Sequence, residues 1–96
     1  MPRSKRTVES GLAAKGFSKA TERDHNYFVY VSSRDGRKAP VRTKTSHGPS
    51  GTTVGDGLLS RMARQCRVSH RQFLDLIDCP MSRDDYEKLL EQQGLL

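Results

Sequence analysis

Hydrophobic positions change period twice along this chain. From Thr7 to Lys15 the apolar residues Val8 and Leu12 stand four apart, the spacing that stacks side chains on one helix face. Gly16 follows as a residue able to take left-handed backbone at the helix end, and Phe17 supplies the apolar group that folds back on it. The period then shortens to two. Residues 17–22 form a short first strand, and the run His25-Asn26-Tyr27-Phe28-Val29-Tyr30-Val31, rich in aromatic and β-branched residues, predicts the clearest strand, over 25–32. Ser33-Arg34-Asp35-Gly36 carries the Asp-Gly signal of a tight hairpin. A partner strand follows from Lys38 to Thr45, with Ala39, Val41, Thr43 and Thr45 on one face and Arg42 and Lys44 on the other. Pro40 has no N–H to give to a ladder, which sends this strand to a sheet edge.

Residues 46–51, Ser-His-Gly-Pro-Ser-Gly, are a loop by composition. From Thr53 the period is helical again, with Val54, Leu58, Leu59, Met62 and Cys66 on one side and Arg61, Arg64 and Gln65 around the other. Gly55 and Gly57 weaken its first turn. Ser69-His70-Arg71-Gln72 is a capping box that opens a third helix bearing Phe73, Leu74, Leu76 and Ile77, and Cys79-Pro80 ends it. Ser82 caps a fourth helix with Asp84 and Asp85 in its first turn, Tyr86, Leu89 and Leu90 on one face and Gly94 as its stop. The predicted order is αβββααα. This is an α+β fold: an α-β-β-β-α core with a three-stranded antiparallel sheet, plus one or two extra C-terminal helices.

A chain of 96 residues is expected to be one domain, with 7–78 as its core and 79–96 as a helical extension. No segment approaches the roughly 18 uninterrupted apolar residues of a membrane span, and the start Met-Pro-Arg-Ser-Lys-Arg lacks the apolar stretch of a signal peptide. A cytoplasmic protein without a membrane partner is expected. Cys66 and Cys79 lack Cys-x-x-Cys spacing and read as a reduced pair acting as small hydrophobes. With His70 they make three ligands, one short of a structural zinc site, so neither metal nor cofactor is expected.

Charge changes the picture more than composition does. Residues 1–67 carry 14 Lys and Arg against 5 Asp and Glu, a net +9, whereas residues 68–96 carry 3 against 6, a net −3. Segregated cations meet a polyanion favourably because counterions are released, which points to nucleic acid.

The order of these residues resembles the HicA family of toxin ribonucleases. The resemblance rests on Gly16-Phe17, a histidine opening the second strand, Asp35-Gly36 in the hairpin, His47-Gly48 after the third strand, a Leu-rich helix, and Val68-Ser69 before Gln72-Phe73-Leu74; it runs from about Thr7 to Ile77. It implies a fold similar to the double-stranded-RNA-binding domain and a metal-independent endoribonuclease that cleaves mRNA, inhibits translation and is restrained by a HicB-like antitoxin protein. The family's essential histidine sits in a Gly-Ser-His string; here the matching string is Arg23-Asp24-His25, which keeps the histidine alone.

RNA brings its own nucleophile, the 2′-hydroxyl, so cleavage needs a group to move a proton and cations to stabilise the charge that develops at phosphorus. His25 is the candidate for proton transfer, because an imidazole titrates near neutrality, with His47 as a second, weaker candidate. Arg23, Arg37, Lys38, Arg42 and Lys44 are candidates for phosphate binding, joined by Lys5 and Arg6 of the basic segment Arg3-Ser4-Lys5-Arg6. Whichever of Tyr27, Phe28 and Tyr30 faces solvent is a candidate for stacking on a base.

Two other readings use the same residues. The protein could be an RNA-binding module without catalysis. Alternatively, residues 58–65, a turn at Cys66-Arg67-Val68 and a helix from Ser69 have the spacing of a helix-turn-helix DNA reader, with His70, Arg71 and Gln72 where base contacts are made, although Arg67 stands where such a turn prefers glycine. Leu89, Leu90, Leu95 and Leu96 are more apolar surface than one terminal helix leaves bare, which predicts a partner or homodimer interface through the C-terminal helix.

Overall fold

A computed structural model describes residues 2–22, 25–46, 53–78 and 80–96. His47, Arg23, Asp24 and Cys79, all singled out above, lie outside the described residues.

The elements are β1 (Arg3–Ser4), α1 (Lys5–Ala14), β2 (Phe17–Glu22), β3 (His25–Val31), β4 (Lys38–Ser46), β5 (Thr53–Val54), α2 (Asp56–Gln65), α3 (His70–Ile77) and α4 (Arg83–Gln92). The expected α+β class and its three-stranded antiparallel sheet are present, in the order β2-β3-β4. β4 is an edge, as Pro40 requires. Opposite Tyr30 the ladder slips from Val29↔Arg42 to Val31↔Lys38, so the stretch of β4 that contains Pro40 bulges out of register.

Two local readings are corrected. Helix α1 begins at Lys5 rather than Thr7, because Ser4 sits in extended backbone and its side chain accepts a hydrogen bond from the Thr7 N–H at 3.1 Å. Thr53 and Val54 do not start a helix. They pair antiparallel with Arg3 and Ser4, and α2 starts only at Asp56 after Gly55 in extended backbone. The partner strand lies half a chain away, so local periodicity carries no trace of it.

Alternation along the sheet separates two faces. Asn26, Phe28 and Tyr30 of β3 and Ala39, Val41, Thr43 and Thr45 of β4 point inward and are buried. They join Val8 and Leu12 of α1, Leu59, Met62 and Ala63 of α2, Phe73, Leu76 and Ile77 of α3, and Tyr86 and Leu90 of α4 in one apolar core. Leu58, expected on the apolar side of α2, is instead exposed. Gly11 permits a close contact between α1 and the end of α3, since a Cβ there would stand 2.5 Å from the Ile77 carbonyl oxygen. Lys15 is buried behind this contact, and its Nζ donates to Leu76 O and Met81 O, both at 2.7 Å, satisfying carbonyls at the end of α3.

The C-terminal helix is part of this core. Tyr86 packs edge-on against Tyr30 with ring centroids 5.1 Å apart, and Tyr30 in turn meets Phe17 at 5.2 Å. Leu90 is fully buried, while Leu89, Leu95 and Leu96 are partly buried against the same core. Of the four leucines expected to offer a bare apolar surface, Leu90 is thus spent within the chain, whereas Leu89, Leu95 and Leu96 keep part of theirs exposed. No helix among the described residues is long and apolar enough to cross a membrane.

Candidate nucleic-acid interface

Because inward positions on β3 and β4 alternate with outward ones, His25, Tyr27, Val29, Arg42 and Lys44 share the face of the sheet turned away from the core. Tyr27 is thus the tyrosine presented to solvent, and Phe28 and Tyr30 are core. Lys44 lies directly across from Tyr27 in the ladder, and the Arg42 guanidinium stands 5.4 Å from the Tyr27 ring centroid, a cation–π contact that fixes both groups. The His25 ring is 6.1 Å from that of Tyr27, one outward position further along β3.

The edge of β4 and the polar side of α2 enclose a cleft of about 610 Å³. Its walls carry Tyr27, Arg42 and Lys44 from the sheet and Arg61, Arg64, Gln65 and Arg67 from α2 and the turn after it. Thr43 holds the two walls together by donating its hydroxyl to Gln65 Oε1 at 2.6 Å. Five cations line the cleft and no acidic residue does. Several basic side chains elsewhere are paired, Arg3 with Asp78, Lys19 with Glu9, Arg34 with Glu87 and Glu91, Arg71 with Asp75, and Arg83 with Glu87; Arg37, Lys38 and Lys88 are exposed singly and do not line a common cleft. Arg42, Lys44, Arg61, Arg64 and Arg67 have no such acidic partner among the described residues. Unneutralised cations facing one another across a cleft repel, and an anion between them relieves that repulsion.

The structure sorts the predicted residues. Arg42 and Lys44 are brought together in the cleft, with His25 beside it on the same face. Arg37 and Lys38 are exposed near the hairpin and do not line it; Asp35 accepts the Arg37 N–H at 3.0 Å. Arg6 lines a separate cavity with Glu9, Ser10, Ala13, Lys19 and Phe28 between α1 and the sheet. Lys5 is a correction: it is only 4% exposed, and its charge acts on the neighbouring Glu9 carboxylate rather than on solvent. It is a first-turn helix residue folded inward, not part of a basic tail. Arg61, Arg64 and Arg67 are not among the predicted phosphate contacts; three-residue spacing sets Arg61 and Arg64 on one side of α2, and Arg67 follows in the turn beyond it.

The residues that a helix-turn-helix would use are engaged elsewhere. His70 Nδ1 is 2.6 Å from Ser60 Oγ and its Nε2 is 3.8 Å from Asp56. Gln72 completes the capping box, its side chain accepting the Ser69 N–H at 2.9 Å. Arg71 alone reaches out into solvent, beside Asp75. Cys66 is fully buried, and burial pushes its thiol pKa up, so it remains a neutral core group. Among the described residues no group of three or more histidine, cysteine or carboxylate side chains could hold a metal ion.

Comparison with family models, with curated proteins and with solved structures finds no match to this chain.

Proposed function

We propose that the protein binds RNA along the cleft between β4 and α2 and cleaves it with His25 as the proton-transfer group, as a metal-independent endoribonuclease acting on mRNA. The observation that carries the reading is the group of five cations without acidic partners, Arg42, Lys44, Arg61, Arg64 and Arg67, lining one cleft. Successive phosphates suit such a row, since each contact releases a condensed counterion. Tyr27 at the cleft's sheet side offers a face on which an unpaired base can stack, which favours single-stranded RNA.

For cleavage, the 2′-hydroxyl oxygen attacks the adjacent phosphorus and the bond to the 5′-oxygen breaks, leaving a 2′,3′-cyclic phosphate and a 5′-hydroxyl. His25 moves the proton, from the attacking hydroxyl or to the departing oxygen, and Arg42 and Lys44 stabilise the charge on the non-bridging oxygens. The resemblance to HicA supplies the histidine's role. It also supplies the expectation of a HicB-like antitoxin that restrains the protein.

The test is incubation of the purified protein with a defined mRNA in the presence of a chelator, wild type beside His25→Ala. Wild-type cleavage leaving cyclic-phosphate ends, lost in His25→Ala with thermal unfolding nearly unchanged, is the expected result. Cleavage by His25→Ala overturns the assignment of that residue. Salt-sensitive RNA binding with no cleavage by either protein reduces the function to that of an RNA-binding module, and a preference for one duplex DNA sequence would favour the helix-turn-helix.

A further inference from the structure

The turn between α2 and α3 places an arginine where the other left-handed positions among the described residues hold glycine. Among the described residues, positive φ occurs at Gly16, Gly36 and Gly94 and at Arg67, where φ is 65°. In that conformation a Cβ crowds the backbone carbonyl, which glycine avoids and arginine does not. The turn is a Schellman cap: the Arg67 N–H donates to Arg64 O at 3.1 Å and the Val68 N–H to Ala63 O at 3.0 Å, with Val68 buried beneath.

A separate helix holds this turn in place. Tyr86 on α4 donates its hydroxyl to Cys66 O at 2.8 Å, and Gln93 just beyond α4 donates its side-chain N–H to Arg67 O at 2.7 Å. The Arg67 carbonyl is therefore occupied by the C-terminal segment while its side chain stands on the cleft wall with Arg61 and Arg64. A strained position that glycine would relax, fixed by bonds from another element and opening onto an unpaired cationic cleft, marks a residue kept for its side chain.

We propose that Arg67 is a phosphate-binding residue of the cleft and that α4 is its brace, acting through Tyr86 and Gln93. The proposal rests on the cleft being an RNA site and assigns a role to the C-terminal helix, which the ribonuclease reading leaves unused.

Binding is measured by fluorescence anisotropy of a labelled single-stranded RNA over a range of salt, with thermal unfolding of each variant. R67G is expected to raise the melting temperature by about 4 °C or more. It should also weaken RNA binding about fivefold to tenfold and lower the slope of log K against log salt by about 0.7, the loss of one phosphate contact. R67Q should lose the same affinity without gaining stability, because the strain remains. Gln93→Ala should weaken binding about twofold in the wild type and not at all in R67G, since a brace matters only when there is an arginine to position. R67G with wild-type affinity and salt slope overturns the role of Arg67, and equal effects of Gln93→Ala in both backgrounds overturn the brace. Should the wild type bind no RNA, the RNA reading falls separately, and inorganic tripolyphosphate replaces the RNA: binding that R67G weakens upholds the phosphate site, and binding that it leaves unchanged, or none, overturns it.

Discussion

Glu87 on the terminal helix accepts a hydrogen bond from the hydroxyl of Tyr30, near the hairpin end of the central strand. The same carboxylate accepts the Ser33 N–H at 2.7 Å, and Arg34 and Arg83 stand 3.6 and 3.7 Å away. Arg83 completes the knot by donating to Val31 O at 2.7 Å while lying over Gly16, where a Cβ would meet its guanidinium at 2.5 Å. The terminal helix is in this way locked to the hairpin that carries the cleft's sheet wall.

The knot makes stability depend on acid. Burial by itself raises the Glu87 pKa, but the hydrogen bonds from Tyr30 and Ser33 and the Arg83 charge outweigh it and leave the carboxyl below its ordinary value. A depressed carboxylate contributes stability that is full above the unfolded glutamate pKa of about 4.3 and is lost as pH falls through the lower folded value. Glu9, whose burial is likewise outweighed by hydrogen bonds from Thr45 and Asn26, acts with the same sign. Denaturant unfolding at pH 7 and at pH 3 to 4 should show the wild type losing stability in acid. Glu87→Gln should cost about 2 kcal/mol at pH 7 and show a smaller loss on acidification.

Two glycines should respond oppositely to alanine. At Gly11 the new methyl would meet Ile77 backbone atoms at 2.5 and 2.6 Å, so α1 and α3 must part, at a cost of roughly 1–3 kcal/mol. At Gly57 it would meet nothing within 4 Å, and replacing a helical glycine should stabilise by about 0.5 kcal/mol. Thermal melts of the two variants check this; equal effects would mean that the α1–α3 contact is looser than described.

The buried lysines should separate from the cleft cations. Lys15→Met strips the donor from Leu76 O and Met81 O and should destabilise by about 2 kcal/mol. Lys5→Ala should also lower the melting temperature, and neither substitution should change RNA affinity more than about twofold. Arg61→Ala with Arg64→Ala should do the reverse, leaving unfolding nearly unchanged and reducing the salt slope of RNA binding by about 1.4.

Tyr27→Ala removes the outward ring beside Arg42 and His25. Loss of one stacked base should weaken single-stranded RNA binding by about 1–3 kcal/mol, with a much smaller effect on a perfect duplex. Equal losses on both substrates would assign Tyr27 to packing rather than to recognition.

Much of the site is legible in the order of residues. Alternation on β4 assigns Arg42 and Lys44 to one face and Val41 and Thr43 to the other, and Pro40 marks the edge where a cleft can open. The same alternation leaves open which tyrosine of β3 faces out, because that choice depends on where the core lies. Arg61 and Arg64 read as the polar side of a helix and Arg67 as a turn residue, because nothing local says that α2 lies against the edge of β4. The Lys5 charge reads as a tail for a similar reason: the Ser4 cap that draws it into a helix is a single hydrogen bond.

By itself, the sequence determined what depends on neighbours a few residues apart: strands from a period of two, helices from apolar residues three and four apart, the Ser69 and Ser82 caps, and the charge that gathers in the first two-thirds of the chain. Only the tertiary structure decided the pairing of Arg3–Ser4 with Thr53–Val54, the burial of Lys5 and of the α4 apolar face, and the meeting of five cations across one cleft. Those features depend on which surfaces the core brings together, and burial acts on shape and area rather than on separation along the chain.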